Sequence, residues 1–277
     1  MPELPETETI ARDLDAEVRG TTVTGVHVHR PDVLREVGPV ALARHLSGVR
    51  IERVWRRAKL VVLDLSSGDR LVVQPRFTGA LLIHAGHVDE RERRFLRVTF
   101  DLDDGRRLHY RDIRCLGTVT LMGPERFAEY VGALGIEPLD PAFTAAHLSA
   151  LLRGSRQAVK KLLQDQRRVV GVGNIYANEA LWRSRIHPAR PGASLSQEEV
   201  AALRDAVVSV LQESIALRGT SFRDYVDARG ARGGFVERLA VYGRADAPCP
   251  RCGTTLVDTH DIDGRTTVFC PTCQRLS

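Results

Sequence analysis

Nothing in this chain of 277 residues approaches the roughly 18 consecutive apolar residues that a membrane span requires. The first dozen residues are acidic and lack the apolar stretch of a secretory signal, so a location in the cytoplasm or on the nucleoid is expected. No internal repeat and no low-complexity tract occurs. Cysteine is scarce, five residues in all. What is present is ordinary for a folded protein: 43% apolar and 27% charged residues, in a length that suits two modest domains and a sizeable core. The net charge of +5 is modest. Its distribution says more, because basic residues gather at Arg50, Arg53, Arg56, Arg57 and Lys59, at Arg91, Arg93, Arg94 and Arg97, and at Arg106, Arg107, Arg111 and Arg114. Such clusters suit a polyanion, and arginine suits bidentate phosphate contact.

Four of the five cysteines stand near the C-terminus as Cys249-x2-Cys252 and Cys270-x2-Cys273, with seventeen residues between the two pairs. In a reducing compartment this spacing reads as one tetrahedral zinc site and not as disulfides. Each pair can hold one side of the ion, and the segment between them can form a hairpin. Cys115 stands alone.

The chain opens with a helix signature. Pro5 suits a first turn, Glu6 and Glu8 favour the positive helix end, and Ile10, Leu14 and Val18 recur at four-residue spacing before Gly20. Short β-like runs follow at 23–28, 50–55, 60–65, 70–74, 80–83, 95–102, 107–111 and 118–121, several separated by Gly-containing turns. They suggest an antiparallel sandwich or barrel. The character changes near residue 124, and Pro138 and Pro141 read as a linker. From about 144 to 219 the period is helical, and Ser196 with Glu199 forms a capping-box signature. Residues 220–240, rich in Gly and Arg, read as a mobile loop.

Three constellations could carry chemistry. In Met1-Pro2-Glu3-Leu4-Pro5-Glu6, loss of Met1 would leave Pro2 with a secondary amine. An α-amino group has a pKa of about 8, so part of it is neutral near pH 7 and can attack an aldehydic carbon to give an iminium. Glu3 and Glu6 could then move a proton; the alternative is a plain proline-led helix start. Gly171-Val172-Gly173-Asn174, with Asn174 at a plausible N-cap and Lys160 and Lys161 upstream, is either a phosphate-binding turn or a tight interhelical one. Arg114 and Leu116 could enter a base stack as hydrogen-bonder and wedge, or serve an edge ion pair and the core.

Taken together and in order, these pieces resemble the formamidopyrimidine-DNA glycosylases, in the wider group that includes endonuclease VIII. Met1–Glu8, Lys160–Glu179, Val241-Tyr242-Gly243-Arg244 and Gly264-Arg265-Thr266-Thr267 carry the likeness. It implies an α+β multidomain protein. An N-terminal antiparallel β-sandwich with its N-terminal helix spans 1–135. A helix–two-turn–helix domain spans 136–240 with a lesion-recognition loop at 219–235, and a β-hairpin zinc finger closes the chain at 241–277. The implied activity is excision of oxidised purines, 8-oxoguanine and formamidopyrimidines, followed by β/δ-elimination at the abasic site. The implied partner is double-stranded DNA bearing such lesions, met by a monomer.

By the same resemblance Pro2 is the nucleophile, Glu3 the acid and Glu6 its support. Lys59 serves β-elimination and Arg265 δ-elimination. Asn174 and Lys160 resemble phosphate ligands, with Arg97, Arg156 and Tyr242 as further DNA contacts. Phe77, Arg114 and Leu116 hold the void-filling positions. Ser221, Phe222, Arg223, Asp224 and Tyr225 form the loop over the flipped base. The single Zn2+ of Cys249, Cys252, Cys270 and Cys273 is structural, since four thiolates leave no open position. Several positions depart from the family pattern. Phe77 replaces a usual Met, Gln74 a His, Cys115-Leu116 an Arg-Phe, and Phe95-Leu96-Arg97 a His-x-His pair, all where the opposite strand is read. Two other readings stand beside this one: an enzyme of endonuclease VIII type preferring oxidised pyrimidines, and a damaged-DNA-binding protein without catalysis.

Overall fold

The computed structural model describes residues 2–84 and 90–276. The chain folds as two compact units, one made of Met1–Gly132 with Leu217–Val236, the other of Ala133–Ala216 with Glu237–Ser277. Among the described residues no helix is long and apolar enough to cross a membrane.

The first unit starts with α1 (Leu4–Val18) and continues through β1 (Thr22–Val28), β2 (Leu34–Arg35), α2 (Pro39–Leu46), β3 (Val49–Arg57), β4 (Leu60–Leu65), β5 (Arg70–Gln74) and β6 (Gly79–His84). After α3 (Glu90–Arg93) come β7 (Leu96–Leu102), β8 (Arg107–Asp112), β9 (Thr118–Met122) and α4 (Pro124–Gly132). The strand order is β2-β9-β5-β4-β3-β1-β7-β8-β6, antiparallel except where β2 meets β9. Only Thr22↔Arg50 and Val23↔Val49 join β1 to β3. At that short link the sheet divides into the two layers of a β-sandwich. Inward residues of both layers, Val61, Leu63 and Val73 from one and Val98, Phe100 and Tyr110 from the other, share one core with Ile10, Leu14 and Val18 of α1. The period-two alternation of each strand places these side chains on a common face. The four-residue spacing of α1 does the same for its buried stripe.

The second unit holds α5 (Ala145–Leu152), α6 (Val159–Gln164), α7 (Asn174–Arg183), α8 (Gln197–Ala216) and the hairpin of β10 (Val257–Thr259) with β11 (Thr267–Phe269). The expected capping box opens α8: Ser196 N–H donates to Glu199 Oε2 at 2.8 Å, and Glu199 N–H to Ser196 Oγ at 3.2 Å. Two turns separate α6 from α7, the helix–two-turn–helix arrangement.

Candidate active site and metal centre

Pro2 is buried, and Glu3 after it is the N-cap of α1. Met1 lies outside the described residues. Glu3 and Glu6 are both buried. A glutamate three positions inside a helix can reach back to the cap, and Glu6 does, taking the Glu3 N–H on Oε2 at 2.8 Å. Its other oxygen, Oε1, accepts the N–H of Thr220 at 2.8 Å. One buried carboxylate therefore ties the start of α1 to the loop that returns at Leu217. Gly219 makes this approach possible. Its φ is +85°, and a Cβ there would lie 3.0 Å from Glu6 Cγ and from Tyr225 Cε1.

Lys59 is half-buried in the two-residue turn between β3 and β4, next to Ala58, whose φ is +54°. Arg56 braces this turn. Its Nη1 donates to Ala58 O at 3.0 Å and its Nε to Glu8 Oε2 at 2.8 Å. Burial pushes the Glu8 pKa upward, but hydrogen bonds and charge from Arg56 and Arg12 outweigh it and hold the carboxyl below its ordinary range. Helix α1 thus carries both the N-terminal carboxylates and the anchor of the Lys59 turn. Arg56 appeared in sequence only as one member of a basic cluster, and Glu8 only as a helix-start charge.

Phe77 and Arg114 come together on two neighbouring loops, with the Arg114 guanidinium 5.3 Å from the Phe77 ring centroid, and Leu116, two residues on, is exposed like them. Asp112, fully buried, organises both loops. Its carboxylate accepts from the hydroxyl of Thr78, from Arg114 N–H at 3.2 Å and from Gly117 N–H at 2.8 Å. A Cβ on Gly117 would fall 1.9 Å from the Tyr110 hydroxyl. Between them Cys115 takes φ +52°, the twist that lets Arg114 and Leu116 both face outward. Arg97 is buried. Its Nε donates to Asp112 O at 2.6 Å and its Nη1 to Arg94 O at 3.1 Å, so it braces the backbone beneath these loops.

The loop read as mobile is internally bonded. Gly234 N–H donates to Leu217 O and Phe235 N–H to Gly219 O, at 2.8 and 3.0 Å. The Ser221 hydroxyl donates to Tyr225 O and accepts from Gly233 N–H, each at 2.8 Å. Ser221 and Tyr225 are buried at its base, whereas Phe222, Arg223 and Asp224 are exposed at its tip. Tyr225 belongs to the sandwich core, and burial together with the Glu6 charge pushes its phenol pKa up.

In the second unit α7 begins at Asn174 with Gly173 as cap, one residue earlier than the N-cap expected at Asn174. Gln166 shapes the turn before it: Oε1 accepts from Gly171 N–H and Nε2 donates to Val172 O, both at 2.9 Å. Asn174 donates from Nδ2 to Thr266 O at 2.9 Å. Lys160, expected as a phosphate ligand, is fully buried. Its ammonium donates to both Asp263 oxygens at 3.2 Å and to the Thr267 hydroxyl at 2.7 Å. A charge that suits phosphate suits an aspartate equally, and sequence alone could not choose. Asp263 also accepts from Arg265 N–H at 3.0 Å, while exposed Arg265 donates from Nη1 to Gln164 Oε1 at 2.6 Å. Arg156 is exposed just before α6. Tyr242 is set by Glu179, whose buried carboxylate accepts the N–H groups of Ala240, Val241 and Tyr242 at 2.9 to 3.0 Å. Burial raises the Glu179 pKa against the pull of these three donors.

The Sγ atoms of Cys249, Cys252, Cys270 and Cys273 lie within 4.8 Å of one another. Zn–S bonds of about 2.3 Å place tetrahedral sulfurs near 3.8 Å apart, so one structural zinc ion fits among them. Trp182 donates from Nε1 to Cys249 Sγ at 3.5 Å, under the guanidinium of Arg251 at 4.2 Å.

Family models match along most of the chain: the formamidopyrimidine-DNA glycosylase N-terminal domain at residues 1–119, the H2TH domain of the same enzymes at 134–226, and the zinc finger found in FPG and IleRS at 247–276. The chain is 42% identical to the formamidopyrimidine-DNA glycosylase of Chloroflexus aurantiacus, over 99% of its own length and 98% of that protein. It is 45% identical to that of Moorella thermoacetica over 92% and 93%. Among solved structures it resembles a mutant of Lactococcus lactis Fpg in complex with a Fapy-dG containing DNA, with TM-score 0.92, 30% identity, and 99% and 100% of the two chains covered. The same bacterium's wild-type protein with an oxidised-pyrimidine DNA matches at TM-score 0.91, with the same identity and coverage.

Proposed function

The chain belongs to the formamidopyrimidine-DNA glycosylase family, and from that premise we propose that it excises oxidised purines from duplex DNA and then cuts the abasic site. The observation that carries this reading is the N-terminus. Buried Pro2 stands beside two buried carboxylates, and one of these also holds the 219–235 loop.

With Met1 removed, the Pro2 nitrogen attacks C1′ of the damaged nucleotide. The N–C1′ bond forms and the glycosidic bond breaks, its electron pair leaving with the base. Glu3 donates the proton that opens the sugar ring, and Glu6 keeps Glu3 and the loop in register. The resulting iminium acidifies the C2′ proton. Its loss, assisted by Lys59, expels the 3′ phosphate, and a second elimination served by Arg265 expels the 5′ phosphate. The target must leave the stack at a cost of about a few kcal/mol, and Phe77, Arg114 and Leu116 fill the gap. The loop tip at Phe222, Arg223 and Asp224 meets the flipped base. Arg156, Asn174 and Tyr242 meet the backbone, while Lys160 and Arg97 act through the segments they brace. Bound zinc supplies only structure: it folds the hairpin bearing Arg265.

Borohydride trapping tests this on duplexes carrying 8-oxoguanine opposite C, 8-oxoguanine opposite A, or an oxidised pyrimidine. The expected result is a covalent adduct on Pro2, strongest with 8-oxoguanine, and its absence in Pro2→Gly. The complex of the Lactococcus protein with an oxidised pyrimidine favours a second reading, preference for pyrimidines, which a reversed order of yields would support. Tight binding with no adduct on any duplex, nor on a plain abasic site, would overturn both.

A further inference from the structure

A cavity of about 350 Å³ opens on the sandwich face of β1, β7 and β8 that points away from the core. In register across these strands stand His27, Thr99 and His109. The Thr99 hydroxyl bonds two rings at once, His29 Nε2 at 3.0 Å and His109 Nδ1 at 2.9 Å. It has one proton, so one ring receives it and the other donates to the oxygen. His109 is 3% exposed, and its Nε2 is buried with no hydrogen-bond partner among the described residues. Buried polar atoms are nearly always paired, so this nitrogen calls for a partner that the described residues do not supply. Arg93, Leu96 and Arg107 also line the cavity, and among the described residues no carboxylate does. Asp101, on the same face, already accepts from His27 and Arg107.

We propose that this cavity binds a phosphate-class oxyanion, held between the guanidiniums of Arg93 and Arg107 with the Nε2–H of His109 donating to it. The tautomer this needs is the one in which Thr99 donates to His109 and accepts from His29. Guanidinium forks match the oxygens of such a ligand. Burial and cationic neighbours keep His109 and His29 neutral, a field that an anion relieves. A metal ion fits worse. Two guanidiniums face the cavity, and among the described residues the four cysteines form the one group of ligand atoms close enough for an ion. A free phosphate ester and a DNA backbone phosphate share this chemistry.

The test is calorimetric titration of the full-length protein with inorganic phosphate in a chloride buffer, repeated on Arg93→Gln and His109→Phe. Arg93 is exposed, so its variant keeps the test valid if His109→Phe folds poorly. Saturable binding that weakens at least tenfold in the variants supports the site. Absence of saturable binding, or binding that survives both substitutions, overturns it. Affinity for an undamaged duplex, measured on the same variants, separates the sources. A parallel tenfold loss assigns the site to backbone phosphate, and an unchanged duplex affinity assigns it to a small phosphate ester.

Discussion

At the scale of single residues, the carboxylate of Glu6 matters most, because each of its oxygens satisfies a different backbone donor. In Glu6→Gln one of these N–H groups faces an amide NH2 instead. An unmet buried donor costs about 1–3 kcal/mol, so thermal unfolding should come earlier and proteases should nick the chain between 219 and 235. A variant as stable and as resistant as the parent would contradict the tie. Gly219→Ala should act similarly, since both its φ and its close neighbours exclude a side chain. His109 gives a pH test. Burial first, then His84 and Arg107, lower its pKa from 6.5 to about 4. The unfolded chain takes up this proton as pH falls through 6.5, and the folded chain only near 4. Stability contributed by the neutral ring is therefore whole above 6.5 and is lost on the way down to about 4. Melting curves in phosphate-free buffer should show a shallower loss across that window for His109→Gln, and an unchanged slope would refute the assignment.

Elements divide into those that betray themselves and those that do not. Eight strands stood out as short β-like runs, several separated by Gly-containing turns, and α1 and α8 through their apolar stripes and end signals. Helix α2 was missed. It has eight residues, and only Leu42 and Leu46 are buried, too few to outweigh its surroundings. In the candidate site the four cysteines were legible from their spacing, Pro2 and Glu3 were read from the chemistry of an N-terminal amine beside a carboxylate, and Lys59 came only from the family resemblance. The site was illegible where function rests on a bracing partner far away in sequence. Asp112, Glu179 and Arg56 are such braces, and nothing local distinguishes them from surface charges. Asp112→Ala should release the Phe77 and Arg114 loops together, because one carboxylate serves both. The expected effect is loss of opposite-base discrimination in excision assays with little change in trapping at a plain abasic site. Equal losses in both assays would argue against it.

For the molecule as a whole, zinc and topology set the predictions. The hairpin of β10 and β11 buries little besides Val241, Leu256 and Val268 around its cysteines, so it depends on the ion. Chelation should remove a metal-dependent step from the unfolding curve and reduce duplex binding, while the sandwich melts as before. A single transition unaffected by chelator would refute this. The first unit is built from two stretches of chain, and Tyr225 and Ala228 from the second stretch belong to its core. Helical and strand periods describe neighbours along the chain, so they gave no sign of this return. The return also fixes an order of events during synthesis. When Gly132 leaves the ribosome the sandwich still lacks part of its interior and the donor for Glu6 Oε1. Both arrive only after roughly a hundred further residues, a wait of about 5–20 s at the usual pace of translation. Through that interval the nascent chain holds an unfinished core, and the last piece of the sandwich to be made is the loop that secures its first helix.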